Sequence, residues 1–209
     1  MKTILSLMVV LVLSSWVWAA DAQKAEPGFV SLFDGKSLDG WKVGKNADTF
    51  KVRDGMIVVN GPVAHLFYVG DVSRHAFKNF HFKADVMTFP KANSGLYFHT
   101  KYQEEGWPKH GYEAQVNNSH TDWRRTGSLY GIQDVRKVPA KDNVWFTEEI
   151  IVRGKQIIIK VDGTTLVDFT EPEGTTGDRR LSHGTFALQG HDPGSKVHYK
   201  NIRVKVLPE

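Results

Sequence analysis

The stretch that most constrains this chain is NFHFKADVMTF, Asn79 to Phe89. Phe82, Ala84 and Val86 recur at every second position with polar residues between them. That period belongs to a β-strand with one face in a core. The same alternation returns in SGLYFHTKY (Ser94 to Tyr102), GYEAQVNN (Gly111 to Asn118), GTFALQGHD (Gly184 to Asp192) and KVHYKNIRVKVL (Lys196 to Leu207). Between them, FTEEIIVRGKQIIIKVDGTTLVDF (Phe146 to Phe169) reads as two or three strands, turning at Arg153-Gly154-Lys155 and at Asp162-Gly163. Asp-Gly is a strong hairpin signal because both central residues of a type I′ turn need positive φ. No segment carries a convincing helical period, so helix is expected only in short turns. Many short strands with turns between them predict an all-β, two-sheet jelly-roll sandwich in a single domain over residues 29–209.

Upstream of that domain, Lys2 precedes TILSLMVVLVLSSWVWAA, an uncharged and mostly apolar run from Thr3 to Ala20. A basic start, an apolar centre and small residues at the end make a secretory signal peptide, expected over residues 1–22 and removed at one of the alanines between Ala19 and Ala22. Residues 23–28 then form a short disordered lead-in. The alternative is an uncleaved anchor, since the run is almost long enough to span a bilayer. With the leader removed, the protein is expected to be exported, periplasmic or secreted, without stable membrane insertion. There is no cysteine, so neither a disulfide nor a lipidated thiol is available. The formal net charge is +4, with Lys and Arg interleaved among Asp and Glu. No basic stripe for nucleic acid results.

The strands differ in what they carry between their apolar positions. Glu113, Gln115 and Asn117 share one side of GYEAQVNN, about 7 Å apart from one to the next. Tyr97 and His99 share a side of SGLYFHT, and Gln189 and His191 a side of TFALQGHD. A merely soluble face would carry Lys, Glu, Thr and Ser. Acid, amide, imidazole and phenol groups instead suit a sugar, which needs paired donors and acceptors for its hydroxyls and flat rings for its C–H face. The loop VNNSHTDWRRTGSLYG (Val116 to Gly131) adds His120, Arg124, Tyr130 and two residues, Trp123 and Arg125, that read equally as site or as packing. Oxygens of Asn117, Asn118 and Asp122 could hold a hard divalent cation such as calcium, although no EF-hand spacing is present. HExxH, P-loop, GxGxxG and GxSxG sequences are absent, which leaves zinc-protease, nucleotide-binding and α/β-hydrolase readings without a motif.

Taken in order, SLFDGKSLDGW, NSGLYFH, GYEAQV, TGSLYG, FALQGHDPGS and VHYKNIRV resemble the 3-keto-disaccharide hydrolase family, from about Phe29 to Leu207. The match extends to Glu113, Gln115, Tyr130, Gln189, His191 and Asn201. The chain departs from the commoner pattern at His99, Phe146 and Lys200, where Arg, Asn and Arg are often found. The resemblance implies a concanavalin A-like or laminin G-like jelly roll with a site on its concave sheet. It also implies cleavage of glycosides already oxidised to a ketone at carbon 3. Such a ketone acidifies the carbon-2 proton; a base removes it, the carbon-1 substituent leaves by β-elimination, and water adds to the enone. Glu113 or His191 would then be the base. Gln115, Gln189 or a bound cation would steady the enolate oxygen, and Tyr130 or His99 would protonate the leaving group. Tyr97, Asn117, Trp123 and Arg125 would join Gln115 and Gln189 in holding the sugar. A non-catalytic carbohydrate-binding module or an envelope structural domain on the same fold are the alternatives.

Overall fold

The alternation closes into two layers. The computed structural model describes residues 26–209; the expected leader and the first part of the lead-in lie outside the described residues. In chain order the strands are β1 (Val30–Ser31), β2 (Trp41–Val43), β3 (Phe50–Arg53), β4 (Met56–Val59), β5 (Ala64–Tyr68), β6 (Phe80–Thr88) and β7 (Ser94–Thr100). They continue as β8 (Tyr112–Val116), β9 (Phe146–Arg153), β10 (Gln156–Val161), β11 (Thr164–Thr170), β12 (Thr185–Gly190) and β13 (Val197–Val206). Helix among the described residues is limited to 3-10 turns at Ala47–Thr49 and Val72–His75. The larger sheet runs β11-β10-β9-β6-β13-β4-β3, with β1 also paired to β13; the smaller runs β2-β5-β12-β7-β8. The pairings are antiparallel, as expected for a jelly roll. The Asp-Gly hairpin joins β10 to β11 with φ of +47° at Asp162 and +76° at Gly163, the signs a type I′ turn requires.

The apolar faces meet between the sheets. Phe80, Phe82 and Val86 of β6, Ile150 and Val152 of β9 and Val204 of β13 pack with Leu96 and Phe98 of β7, Ala114 and Val116 of β8 and Phe186 and Leu188 of β12. Phe186 sits at the centre, its ring 4.5, 4.9 and 4.6 Å from those of Phe77, Phe80 and Phe82. Truncating such a residue to Ala typically costs about 3–5 kcal/mol.

The outer faces of the two sheets differ. Strands β6, β9 and β10 alternate buried with half-buried positions, so one face of the larger sheet meets water. Strands β5, β7, β8 and β12 are buried at every position. The outer face of the smaller sheet is therefore roofed by loops, and a separate cluster of Phe67, Tyr97 and Ala187, packed against Tyr102, lies there. Asn201 belongs to the other sheet. It sits at a bulge in β13 with φ of +49° and donates from Nδ2 to Asp85 Oδ2 at 2.6 Å. Its match to the family pattern thus marks a structural position, not the roofed face.

Candidate functional site

Register assembles the roofed face. On β7 and β8, Tyr97 lies opposite Glu113 and Gly95 opposite Gln115. On β12 and β5, Gln189 lies opposite His65, and β12 also pairs with β7. Every second residue points outward, so His65, Gln189, Tyr97, Glu113 and Gln115 gather on one surface, with Gly95 and Ala187 leaving room between them. Above it opens a cavity of about 300 Å³, lined by Glu113, Gln115, Tyr97, Gln189, His191 and Tyr130, and also by Asn93, Trp107, Lys109 and Arg179.

Glu113 is the centre of this surface. The Gln189 side-chain amide donates to Glu113 Oε1 and to Tyr97 Oη, each at 3.0 Å. Burial pushes the Glu113 carboxyl up to about 7, while the Tyr97 hydroxyl, the Gln189 amide and the Arg179 guanidinium act the other way. The Tyr97 phenol is raised in turn by burial and by Glu113, so it stays protonated. Three carboxamide oxygens of the lining, Asn93 Oδ1, Gln115 Oε1 and Gln189 Oε1, are buried and have no hydrogen-bond partner. Leaving such an acceptor unmet typically costs about 1–3 kcal/mol, so these oxygens call for a donor, from water or from a bound molecule.

The rim is aromatic and basic. His191 follows β12, and its Nδ1 lies 2.7 Å from Asp192 Oδ2. Asp192 is itself held by Ser195 Oγ and the Gly194 amide, both at 2.7 Å. Trp107 is 47 % exposed and stands between His191 and His65, its ring 5.4 and 5.5 Å from theirs. Burial, with His191 nearby, lowers His65 to about 4, so its ring is neutral. Tyr130 Oη donates to Asp122 Oδ2 at 3.3 Å, and Arg179 donates to the Tyr130 carbonyl. Burial and the adjacent Asp122 raise the Tyr130 phenol.

Four residues expected at the site lie elsewhere. His99 has φ of +54°, next to a register shift between β7 and β12, and this breaks the alternation that paired it with Tyr97. Its ring packs edge-on against Phe80, Nε2 reaches the Lys78 carbonyl at 2.9 Å, and Nδ1 accepts the Ser182 amide at 3.1 Å. Asn117 lies one residue past the end of β8, so the polar row stops at Gln115. It organises the following loop: Nδ2 donates to the carbonyls of Asp122 and Arg124, and Oδ1 accepts from the His120 amide and Arg125. Arg125 also donates to the carbonyls of His120 and Asp122. Trp123 is stacked between Arg124 and Arg136, 4.9 and 4.1 Å from its ring. None of the four lines the cavity.

The oxygens considered for calcium do not fit one. Both acceptor positions of Asn117 Oδ1 are filled, one by a guanidinium, and Asp122 Oδ1 faces Arg124. A hard dication beside two guanidinium groups would be repelled.

Asn93, Trp107, Lys109 and Arg179 were not singled out by period-two reasoning, because all four sit outside strands. Trp107 did carry a signal: a tryptophan between Gly106 and Pro108 in a polar loop has no core to enter. Asn93 opens the NSGLYFH block. Arg179 and Lys109 carried none, since only tertiary structure brings their loops over the sheet.

The fold and the roofed polar face define a lectin-like jelly roll with a closed-over surface on its smaller sheet. The chain belongs to the 3-keto-alpha-glucoside-1,2-lyase-like domain family, whose model matches residues 28–205. No curated protein matches the chain in sequence. Among solved structures it is similar to a candidate glycosyl hydrolase from Parabacteroides distasonis (24 % identity, TM-score 0.72, covering 87 % of this chain and 94 % of that one). A second candidate glycosyl hydrolase from the same organism has 18 % identity and a TM-score of 0.68, with 86 % and 99 % covered. The carbohydrate binding module CBM66 from Bacillus subtilis has 14 % identity and a TM-score of 0.56, with 79 % and 95 % covered. At these identities the likeness is one of fold.

Proposed function

We propose that the cavity cleaves 3-keto-glycosides by removing the carbon-2 proton and expelling the carbon-1 substituent. The observation that carries this reading is Glu113: a buried carboxyl at the cavity floor, pushed up to about 7, with its position fixed by Gln189. A base tuned near neutral pH is what abstraction of a proton beside a ketone requires. Membership of a family described as 1,2-lyase-like supports elimination across carbons 1 and 2 as the central step.

The chemistry balances as follows. Glu113 takes the carbon-2 proton, and the C–H electron pair forms the carbon-2–carbon-3 double bond of an enolate. Arg179 and Lys109, the cationic lining groups, are suited to hold the negative oxygen. The enolate collapses to a carbon-1–carbon-2 double bond, and the carbon-1–oxygen bond breaks. Tyr130 or His191 gives the departing oxygen its proton. Water then adds its oxygen at carbon 1 and gives a proton back to whichever of Tyr130 or His191 released one, while Glu113 returns its proton to carbon 2, giving the free 3-keto sugar. The unmet oxygens of Asn93, Gln115 and Gln189 suit the sugar's remaining hydroxyls, and Trp107 offers a flat ring to a C–H face.

The test is incubation with 3-keto-trehalose or a 3-keto-glucoside in heavy water. Release of glucose or aglycone should accompany deuterium incorporation at carbon 2. Tight binding of unoxidised glycans with neither exchange nor cleavage would replace this reading with a carbohydrate-binding module.

A further inference from the structure

At one edge of the cavity, two imidazoles and a carboxylate come together from separate stretches of chain. His120 comes from the loop after β8, and His191 and Asp192 follow β12. One donor atom from each lies within 4.8 Å of the other two. The imidazole rings are 5.5 Å apart and roughly perpendicular. Donors that share one ion at about 2.0–2.2 Å are at most about 4.4 Å apart, so small side-chain rotations close the set. We propose that His120, His191 and Asp192 bind a divalent transition-metal ion such as Mn²⁺, Fe²⁺, Co²⁺ or Zn²⁺.

A second observation points to the same place. Asn93 is only 3 % exposed, its Nδ2 lies 3.4 Å from His120 Nδ1, and its Oδ1 has no partner. The Asn93 amide thus turns its nitrogen to His120 and keeps an oxygen unmet, which suits it to ligate an ion or to accept from water on one. His120 is also loosely committed: its Nδ1 accepts the Asp122 amide at 3.1 Å, a bond the loop can give up. Asp192, by contrast, is anchored by Ser195 and Gly194, and its Oδ2 also meets His191 Nδ1 at 2.7 Å, so that contact opens when both side chains take the ion, or His191 turns Nε2 to it.

The donor types choose the ion. Two nitrogens and one carboxylate suit first-row transition metals, and such a set leaves coordination positions open. Calcium prefers six to eight oxygens, which this edge does not supply. The inference rests on the donor set and not on the proposed reaction. On that reaction's reading, an ion here would lie beside the cavity that His191 lines and act as a Lewis acid for the substrate's oxygens.

The experiment uses the mature protein, stripped with chelator and titrated with Co²⁺, followed by ligand-field absorbance and calorimetry. Binding should saturate at a single site, and excess Ca²⁺ should not displace the ion. His120→Ala and Asp192→Asn should each weaken binding by at least about tenfold, while His183→Ala, at an exposed histidine elsewhere, should leave it unchanged. If His120→Ala loses its thermal transition, His120→Gln replaces it. No saturable Co²⁺ uptake by the parent protein would overturn the proposal. So would uptake that survives loss of His120, or displacement by Ca²⁺. None of these readouts needs substrate, so their failure is distinct from failure of the proposed activity.

Discussion

Gly95 makes room for Glu113. A Cβ at position 95 would overlap Oε1 and lie 2.9 Å from both Cγ and Cδ of that side chain. Gly in a strand interior is worse than Ala by roughly 0.5–1 kcal/mol, so its presence in β7 is explained by what it admits. Gly95→Ala should push the carboxylate off the floor of the cavity. Misplacement of a reacting group by about 1 Å can cost roughly 10²-fold in rate. Turnover of a 3-keto-glucoside should fall by that order, with a stability loss of about 1–3 kcal/mol from overpacking. Undiminished kcat in a folded Gly95→Ala protein would mean that Glu113 does not need this position.

Glu113→Gln keeps size and removes the proton acceptor. If Glu113 is the base, kcat should drop by roughly 10²–10⁴-fold with KM little changed. Stability should move the other way. The folded carboxyl titrates at about 7 against an ordinary 4.5. Between those values the native state holds a proton that the unfolded chain releases, so stability falls as pH rises. The gap between those values corresponds to roughly 3 kcal/mol. Urea unfolding should therefore show Glu113→Gln gaining on the parent as pH rises from 4.5 to above 7, and a constant offset would contradict the raised value.

Trp107 is exposed, with its ring edge-on to His65 and tilted against His191. Its loss should spare the fold and the chemical step. Aromatic contacts contribute about 0.5–1.5 kcal/mol beyond area, so Trp107→Ala should raise KM by up to about tenfold at nearly constant kcat. A fall in kcat alone would place the ring in the chemistry instead of the platform.

Much of this was legible beforehand, for one physical reason. Residues that alternate along a strand share a face whatever the topology, so Glu113 with Gln115, and Gln189 with the Ala187 beside it, could be placed together. The limits of alternation mark where the reading failed. Asn117 is one residue beyond the strand, and His99 turns through positive φ at an irregular step between β7 and β12. Strands β1 to β5 are short and lie among turn residues, so no alternation marks His65, on the same face as Gln189. Loop residues that complete the cavity, above all Arg179, depend on contacts between distant segments that no local pattern encodes.

His99 is a buried, uncharged histidine serving the fold, and acid should expose that. Burial lowers it to about 4, from an ordinary 6.5, with the Lys78 carbonyl acting the other way. The unfolded chain takes up a proton below about 6.5, but the native ring does not until about 4. Stability is thus lost as pH falls through that window, by roughly 3 kcal/mol. His99→Asn should be less stable than the parent at pH 7, through loss of its backbone bonds. The gap should narrow toward pH 4, and equal acid slopes for the two proteins would rule out a neutral buried ring.

Glu148 is the opposite case, on the inward side of β9 among apolar side chains. It is fully buried, and neither carboxylate oxygen has a hydrogen-bond partner. Burial raises its carboxyl well above the ordinary 4.5; the nearby Gly127 amide, whose N–H is bonded to the Gln115 carbonyl, acts the other way, and Glu113 adds to the rise. The native state therefore keeps this proton to higher pH than the unfolded chain does. The unfolded chain ionises above about 4.5, so the parent protein loses stability as pH rises from there until the native group also ionises. Glu148→Gln preserves the shape and cannot ionise. It should match the parent near pH 4 and exceed it increasingly above pH 5, by thermal or urea unfolding. Because Glu148 faces the core and not the cavity, turnover at a temperature where both proteins are folded should stay within about twofold. Parallel stability curves for parent and variant across that range would mean that Glu148 is charged in the native state, and a buried cation or water would then have to be found beside it.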